Sequence, residues 1–115
     1  MTGFQSLDLD AALERLGGDL HVLREVAGLF LEESPRMMAA VEQAFHAGDA
    51  AALAKAAHSL KGCVSTFCAW QAYEAAGALE IAGRSENLSQ AARDLVRLSS
   101  AIQALAPELS TLARR

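Results

Sequence analysis

The residues best suited to chemistry lie in one short run, Ala56 to Trp70, "AAHSLKGCVSTFCAW". Its histidine, His58, is flanked about one turn away on either side by Lys55 and Lys61, the only two lysines among 115 residues in a chain of net charge −4. On a helix advancing about 100° per residue, Lys55, Lys61, Gly62 and Ser65 all fall within about 60° of His58. Leu60, Val64 and Phe67 fall on the far side, with Cys63 at their edge. The spacing therefore predicts a solvent-facing imidazole on an amphipathic helix, with a local positive spot beside it.

A neutral imidazole is a good nucleophile, and an ordinary histidine, titrating near pH ~6.5, is mostly unprotonated at neutrality. It can accept an electrophilic phosphoryl group, a transfer that needs positioning and charge compensation more than covalent help from the protein. The flexible ammonium of Lys61 suits that compensation. Gly62 costs a helix interior roughly 1 kcal/mol relative to alanine. Its use here is clearance: with no side chain, it opens the surface beside the imidazole to another protein's active site. The plainer reading, a merely solvated histidine, leaves the placement of both lysines and of Gly62 unexplained.

Composition narrows the alternatives. Alanine and leucine dominate the apolar half of the chain and aromatics are few, which favours helices over strands. The arginines form no basic stripe, so no nucleic-acid partner is expected. The start "MTGFQSLDLD" is neither a secretory signal nor a transit peptide, and no apolar run is long enough to span a bilayer. A cytoplasmic protein without membrane association is expected. Cys63 and Cys68 fall on different helix faces, which disfavours a disulfide, and no ligand-spaced His or Cys supports a metal site. There is no glycine-rich phosphate loop, so an ATP-dependent kinase is not expected, and a hydrolase using His58 as base lacks a placed catalytic partner.

The elements that must position His58 follow from caps and periodicity. A short helix from about Asp8 to Leu16 ends at Gly17–Gly18 and reads as a lid. Asp19 caps a second helix carrying Leu20, Leu23, Ala27, Phe30 and Leu31. Ser34–Pro35 reads either as a new N-terminus or as a point within one long bent helix. The pattern resumes with Met38, Val41 and Phe45 and stops at Gly48. Asp49 then caps the helix of His58, whose buried stripe is Leu53, Ala57, Leu60, Val64 and Phe67. A further helix, about Ala69 to Ala82, buries Ala72, Tyr73, Ala76 and Leu79, and "GRSEN" is the loop after it. The last helix starts at Leu88, carries Leu95, Leu98, Ile102, Leu105, Leu109 and Leu112, and continues past a kink at Pro107. The expected fold is all-α: a single domain over residues 1–115, an antiparallel up-and-down four-helix bundle with an additional short N-terminal helix. His21, His46, the Met37–Met38 pair, Trp70, Glu32–Glu33 and Glu74 read as ordinary surface or packing residues, with Trp70 also a candidate for the partner surface.

"AHSLKGCVSTFCAWQAYEAAGALE" resembles the signature of histidine-containing phosphotransfer (HPt) domains. Ala57, His58, Leu60, Lys61 and Gly62 match it, as do Phe67, Ala69 and the closing pair Leu79–Glu80. Cys68 departs from it, standing where glycine is usual, and Cys63 stands where serine or alanine is common. The Cys68 departure puts the local backbone geometry in question. The resemblance implies a four-helix bundle whose matching histidine carries a phosphoryl group, commonly on Nε2, between aspartates of receiver domains.

On that resemblance His58 is the phosphoacceptor, Lys61 its charge partner and Gly62 the clearance; Lys55, Gly62 and Ser65, which share the His58 face, are the candidates for contact with the partner. The partners are the receiver domains of a hybrid sensor histidine kinase and of a response regulator. The chain itself is expected to need no cofactor, the magnesium ion coming with the receiver. The alternative is an adaptor that docks a receiver or kinase domain without carrying phosphate. A free-standing monomer is expected, from the initiating methionine, the complete bundle and a last helix whose single apolar stripe the bundle can bury.

Overall fold

The computed structural model describes residues 4–114. Five helices follow one another: α1 (Leu9–Arg15), α2 (Leu20–His46), α3 (Ala50–Ser65), α4 (Trp70–Arg84) and α5 (Ala91–Arg114). No strand occurs among the described residues. Short connections reverse the chain between successive helices. α2 packs on α3 and α5, α4 packs on the same two, and α1 packs against α2. The result is the expected antiparallel four-helix bundle with a short helix added at its N-terminal end, a rod of 41 × 21 × 21 Å.

Local chemistry sets most of the boundaries. Asp8, Asp19 and Asp49 each accept a hydrogen bond from the backbone N–H three residues on, at 3.0–3.1 Å, so each satisfies a donor that the helix cannot. Gly17 and Gly48 end the preceding helices at φ +67° and +66°, a left-handed conformation that glycine adopts without a Cβ clash.

Elsewhere the structure decides between alternatives or moves a boundary. α2 runs unbroken through Ser34–Pro35, and Ser34 is buried within it. α4 continues two residues beyond Ala82, so the start of "GRSEN" is helix. α5 begins at Ala91, not Leu88, because the Asn87 side chain accepts from both the Ser89 amide and its hydroxyl and holds a turn there. α5 then continues through Pro107.

α2 and α5, at 27 and 24 residues, outrun α3 and α4, at 16 and 15. The N-terminal segment covers the end where α3 turns into α4. The Asp8 amide donates to the Phe67 carbonyl at 3.1 Å. The Glu108 carboxylate on α5 accepts from the amides of Gln5, Ser6 and Leu7 at 3.2, 2.9 and 3.1 Å. Beneath this cover the rings of Phe30 and Phe67 meet at 5.7 Å.

Leu53, Ala57, Leu60, Val64 and Phe67 are fully buried, as the α3 periodicity predicts. Gly83 sets how closely α4 approaches that helix. A Cβ there would lie 2.6 Å from the Ala50 carbonyl oxygen and 2.7 Å from the Ala54 nitrogen. Because both neighbours are backbone, Gly83→Ala should lower stability by roughly 1–3 kcal/mol in denaturant unfolding. An unchanged midpoint would show that the helices can separate without cost.

Candidate functional site

His58 lies on the outer face of α3, its side chain 63 % exposed. Opposite it on α4 is Glu80, which is only 4 % exposed. Glu80 follows Ala76 by one helical turn and so points the way that the buried stripe Ala72, Ala76, Leu79 and Gly83 points. A carboxylate in that position must be paired, since burying it alone would be costly. Three donors meet it. His58 Nδ1 lies 2.9 Å from Oε2, Lys61 Nζ 2.6 Å from Oε1, and Arg84 Nη2 2.5 Å from Oε2.

The hydrogen bond from Lys61 is the main force holding the Glu80 carboxyl below the usual glutamate range. The hydrogen bond from His58 and the charges of Lys61 and Arg84 act in the same direction and burial opposes them. The group is therefore an ionised carboxylate at neutral pH and can only accept. It follows that Nδ1 of His58 carries the hydrogen, so in the neutral ring the lone pair is on Nε2. The neutral ring thus presents Nε2 on an exposed side chain, oriented from behind by a buried anion.

This arrangement corrects one expectation. The positive spot is not formed by two open lysines, because Lys61 is bound to Glu80 and its ammonium also lies over the Tyr73 ring, 5.7 Å from the centroid. Lys55 is not part of the cluster. It lines a groove of about 820 Å³ between α2 and α3, with Met37, Ala40, Ala52, Ala56 and Ser59. The surplus cation is Arg84, which leaves the cluster with one net positive charge when the ring is neutral.

Glu80 and Arg84 are the residues that the reading of the His58 helix missed. Glu80 appeared there only as the last residue of a motif. The signal that could have found it is a carboxylate four residues after a core alanine and four before an arginine.

Gly62 is exposed, and a Cβ added to it would meet nothing within 4 Å. The fold does not require glycine here. The Ser65 hydroxyl donates to the Gly62 carbonyl at 2.7 Å, so its proton is committed to its own helix.

A family model, the Hpt domain, matches residues 25–108 of this sequence. The chain belongs to the Hpt domain family. No curated protein and no solved structure matches it. As an Hpt domain it has a histidine phosphotransfer role in two-component phosphorelays. Hpt domains are phosphocarriers without an ATP site of their own, and they interact with receiver domains of kinases and response regulators. In this Hpt domain α1 and the first turn of α2 lie outside the matched residues.

The remaining residues singled out in the sequence sit apart from the Hpt cluster. Cys63 and Cys68 are free thiols, and burial pushes the Cys63 thiol up. Cys68 is buried at φ 50°, the left-handed region that explains why glycine is usual at this position. His21 pairs with Glu25 at 2.7 Å on the surface, and His46 packs edge-on against Phe45. Trp70 is 45 % exposed and meets Tyr73 edge-on, which places it on the same side as the Lys61 ammonium. Among the described residues no group of His, Cys, Asp and Glu could hold a metal ion, and no helix is long and apolar enough to cross a membrane.

Proposed function

We propose that His58 is the phosphoacceptor, taking a phosphoryl group at Nε2 from a receiver-domain aspartate of a hybrid sensor kinase and passing it to a response-regulator aspartate. The observation that carries this reading is the hydrogen bond between exposed His58 and buried Glu80, which places the hydrogen of the neutral ring on Nδ1 and its lone pair on Nε2. In the forward step the Nε2 lone pair attacks phosphorus as the bond from phosphorus to the aspartate oxygen breaks, and that electron pair returns to the carboxylate. The ring becomes cationic while its Nδ1 hydrogen stays on Nδ1, so no proton has to move. Glu80 faces the new positive charge and stabilises it, as a buried carboxylate does behind a catalytic imidazole. Onward transfer reverses these events, and neutral imidazole leaves. The magnesium ion used in both steps belongs to the receiver.

Lys61 keeps Glu80 ionised and retains further N–H donors for a phosphoryl oxygen. Lys55, Gly62 and Ser65 make up the surface that the receiver approaches. Gly62→Gln would keep the helix and raise its propensity, yet put a side chain into the open space beside the imidazole. The expected result is equal or greater stability with transfer slowed about tenfold or more; an unchanged rate would remove Gly62 from the docking surface.

The reading is tested by offering labelled phosphate on a panel of phosphorylated receiver domains. Acid-labile, alkali-stable label on the protein supports the carrier. Receivers that bind without ever transferring label would leave the adaptor reading in its place.

A further inference from the structure

Oε2 of Glu80 serves two donors at once, His58 Nδ1 and Arg84 Nη2. Arg84 is therefore no more than two hydrogen-bond lengths from the ring. It is also the most exposed member of the cluster, its side chain 68 % exposed, whereas Lys61 is 25 % exposed and is, among the described residues, the one donor on Oε1.

Loading the histidine changes both attractions acting on Arg84. Once Nε2 is bonded to phosphorus the ring is cationic, and the Nδ1–H bond to Oε2 becomes an interaction between opposite charges, which shortens and strengthens it. The oxygen thus holds Arg84 less well. On the other ring nitrogen a group with about two negative charges and three strong acceptor oxygens has arrived. A guanidinium presents a planar fork of donors that matches such a group.

We propose that Arg84 exchanges Glu80 for the phosphoryl group when His58 is phosphorylated, and so serves as a phosphoryl ligand of the loaded carrier. Charge supports the exchange. With Lys61, Arg84, Glu80 and the cationic ring all present, a dianionic phosphoryl group makes the loaded site electroneutral, and without Arg84 it is left with one net negative charge. The other charged groups facing this region do not substitute. Lys55 lines the groove toward α2, and Arg36 on α2 is paired with Glu33.

This inference rests on His58 being the phosphoacceptor, so the test uses a small donor, phosphoramidate, and needs no receiver. Wild type, Arg84→Gln and Arg84→Lys are loaded, and three quantities are read: phosphohistidine lifetime, the ¹⁵N signal of the Arg84 guanidinium before and after loading, and the ring tautomer before loading. The exchange predicts a guanidinium signal that moves on loading, a lifetime shortened on the order of tenfold in Arg84→Gln, and substantial recovery in Arg84→Lys. A loaded wild type whose guanidinium signal stays put, with an unchanged lifetime in Arg84→Gln, overturns it. So does loss of the Nδ1–H tautomer in unloaded Arg84→Gln, which would make Arg84 a positioning residue acting through Glu80. A wild type that gains no label at His58 removes the phosphoacceptor reading, and this inference falls with it.

Discussion

Replacing His58 with glutamine is expected to abolish phosphoryl acceptance and leave the bundle folded. The side chain is 63 % exposed and lies outside the buried stripe of α3, so its removal opens no cavity. Glutamine can still donate a hydrogen bond toward Glu80, which spares that carboxylate the cost of losing one of its partners. It has no ring nitrogen with a free lone pair, so the nucleophile is gone. The measurement is receiver-dependent labelling beside a thermal melt. A folded His58→Gln protein that still takes up acid-labile label would mean that His21 or His46 carries the group, although neither is backed by a buried anion.

Glu80→Gln should be the second most damaging change, slowing transfer by about 10²–10³-fold with His58 still in place. An amide can donate to Nδ1, which favours the opposite tautomer and puts the hydrogen on the attacking Nε2; it also supplies no negative charge to face the cationic ring. Single-turnover transfer together with ¹⁵N detection of the ring tautomer separates the two effects. A normal rate with Nδ1–H retained would remove Glu80 from the mechanism.

The same substitution alters stability against acid. The Glu80 carboxyl is held below the ordinary glutamate value in the fold, chiefly by Lys61. Its contribution to stability is therefore complete above that ordinary value and lost as pH falls through the lower, folded one. Glu80→Gln should lose that part of the acid limb of the unfolding profile.

The parts of the molecule readable from sequence are those decided within a turn or two of chain. The Asp8, Asp19 and Asp49 caps, the Gly17 and Gly48 stops and the buried stripe of α3 depend on neighbours three or four residues away. Ser34–Pro35 was ambiguous because proline's preference for a helix start competes with continuation, and burial of Ser34 in the bundle decides for continuation. The C-terminal end of α4 lies beyond the expected Ala82 because Gly83, a breaker by propensity, packs within the helix against Ala50 and Ala54.

For the candidate site the division is the same. The face bearing His58, Lys61 and Gly62 followed from a helical wheel. Glu80 did not, because its role exists only once α4 lies against α3, 22 residues further along the chain. The bond from Lys61 to that carboxylate turned a supposed open charge into a paired one. The anchoring of Gln5, Ser6 and Leu7 by Glu108 joins segments more than 100 residues apart and leaves no local signature.

The burial of Glu80 has a consequence for ionic strength. Mobile ions screen charges in water over about 8 Å at physiological salt but scarcely enter a packed interface between helices. The exposed cations Lys55 and Arg84 lie in the screened medium, while the carboxylate paired with the imidazole lies outside it. On the proposed function, raising salt should therefore weaken the encounter with a receiver while leaving the orientation of the ring unchanged.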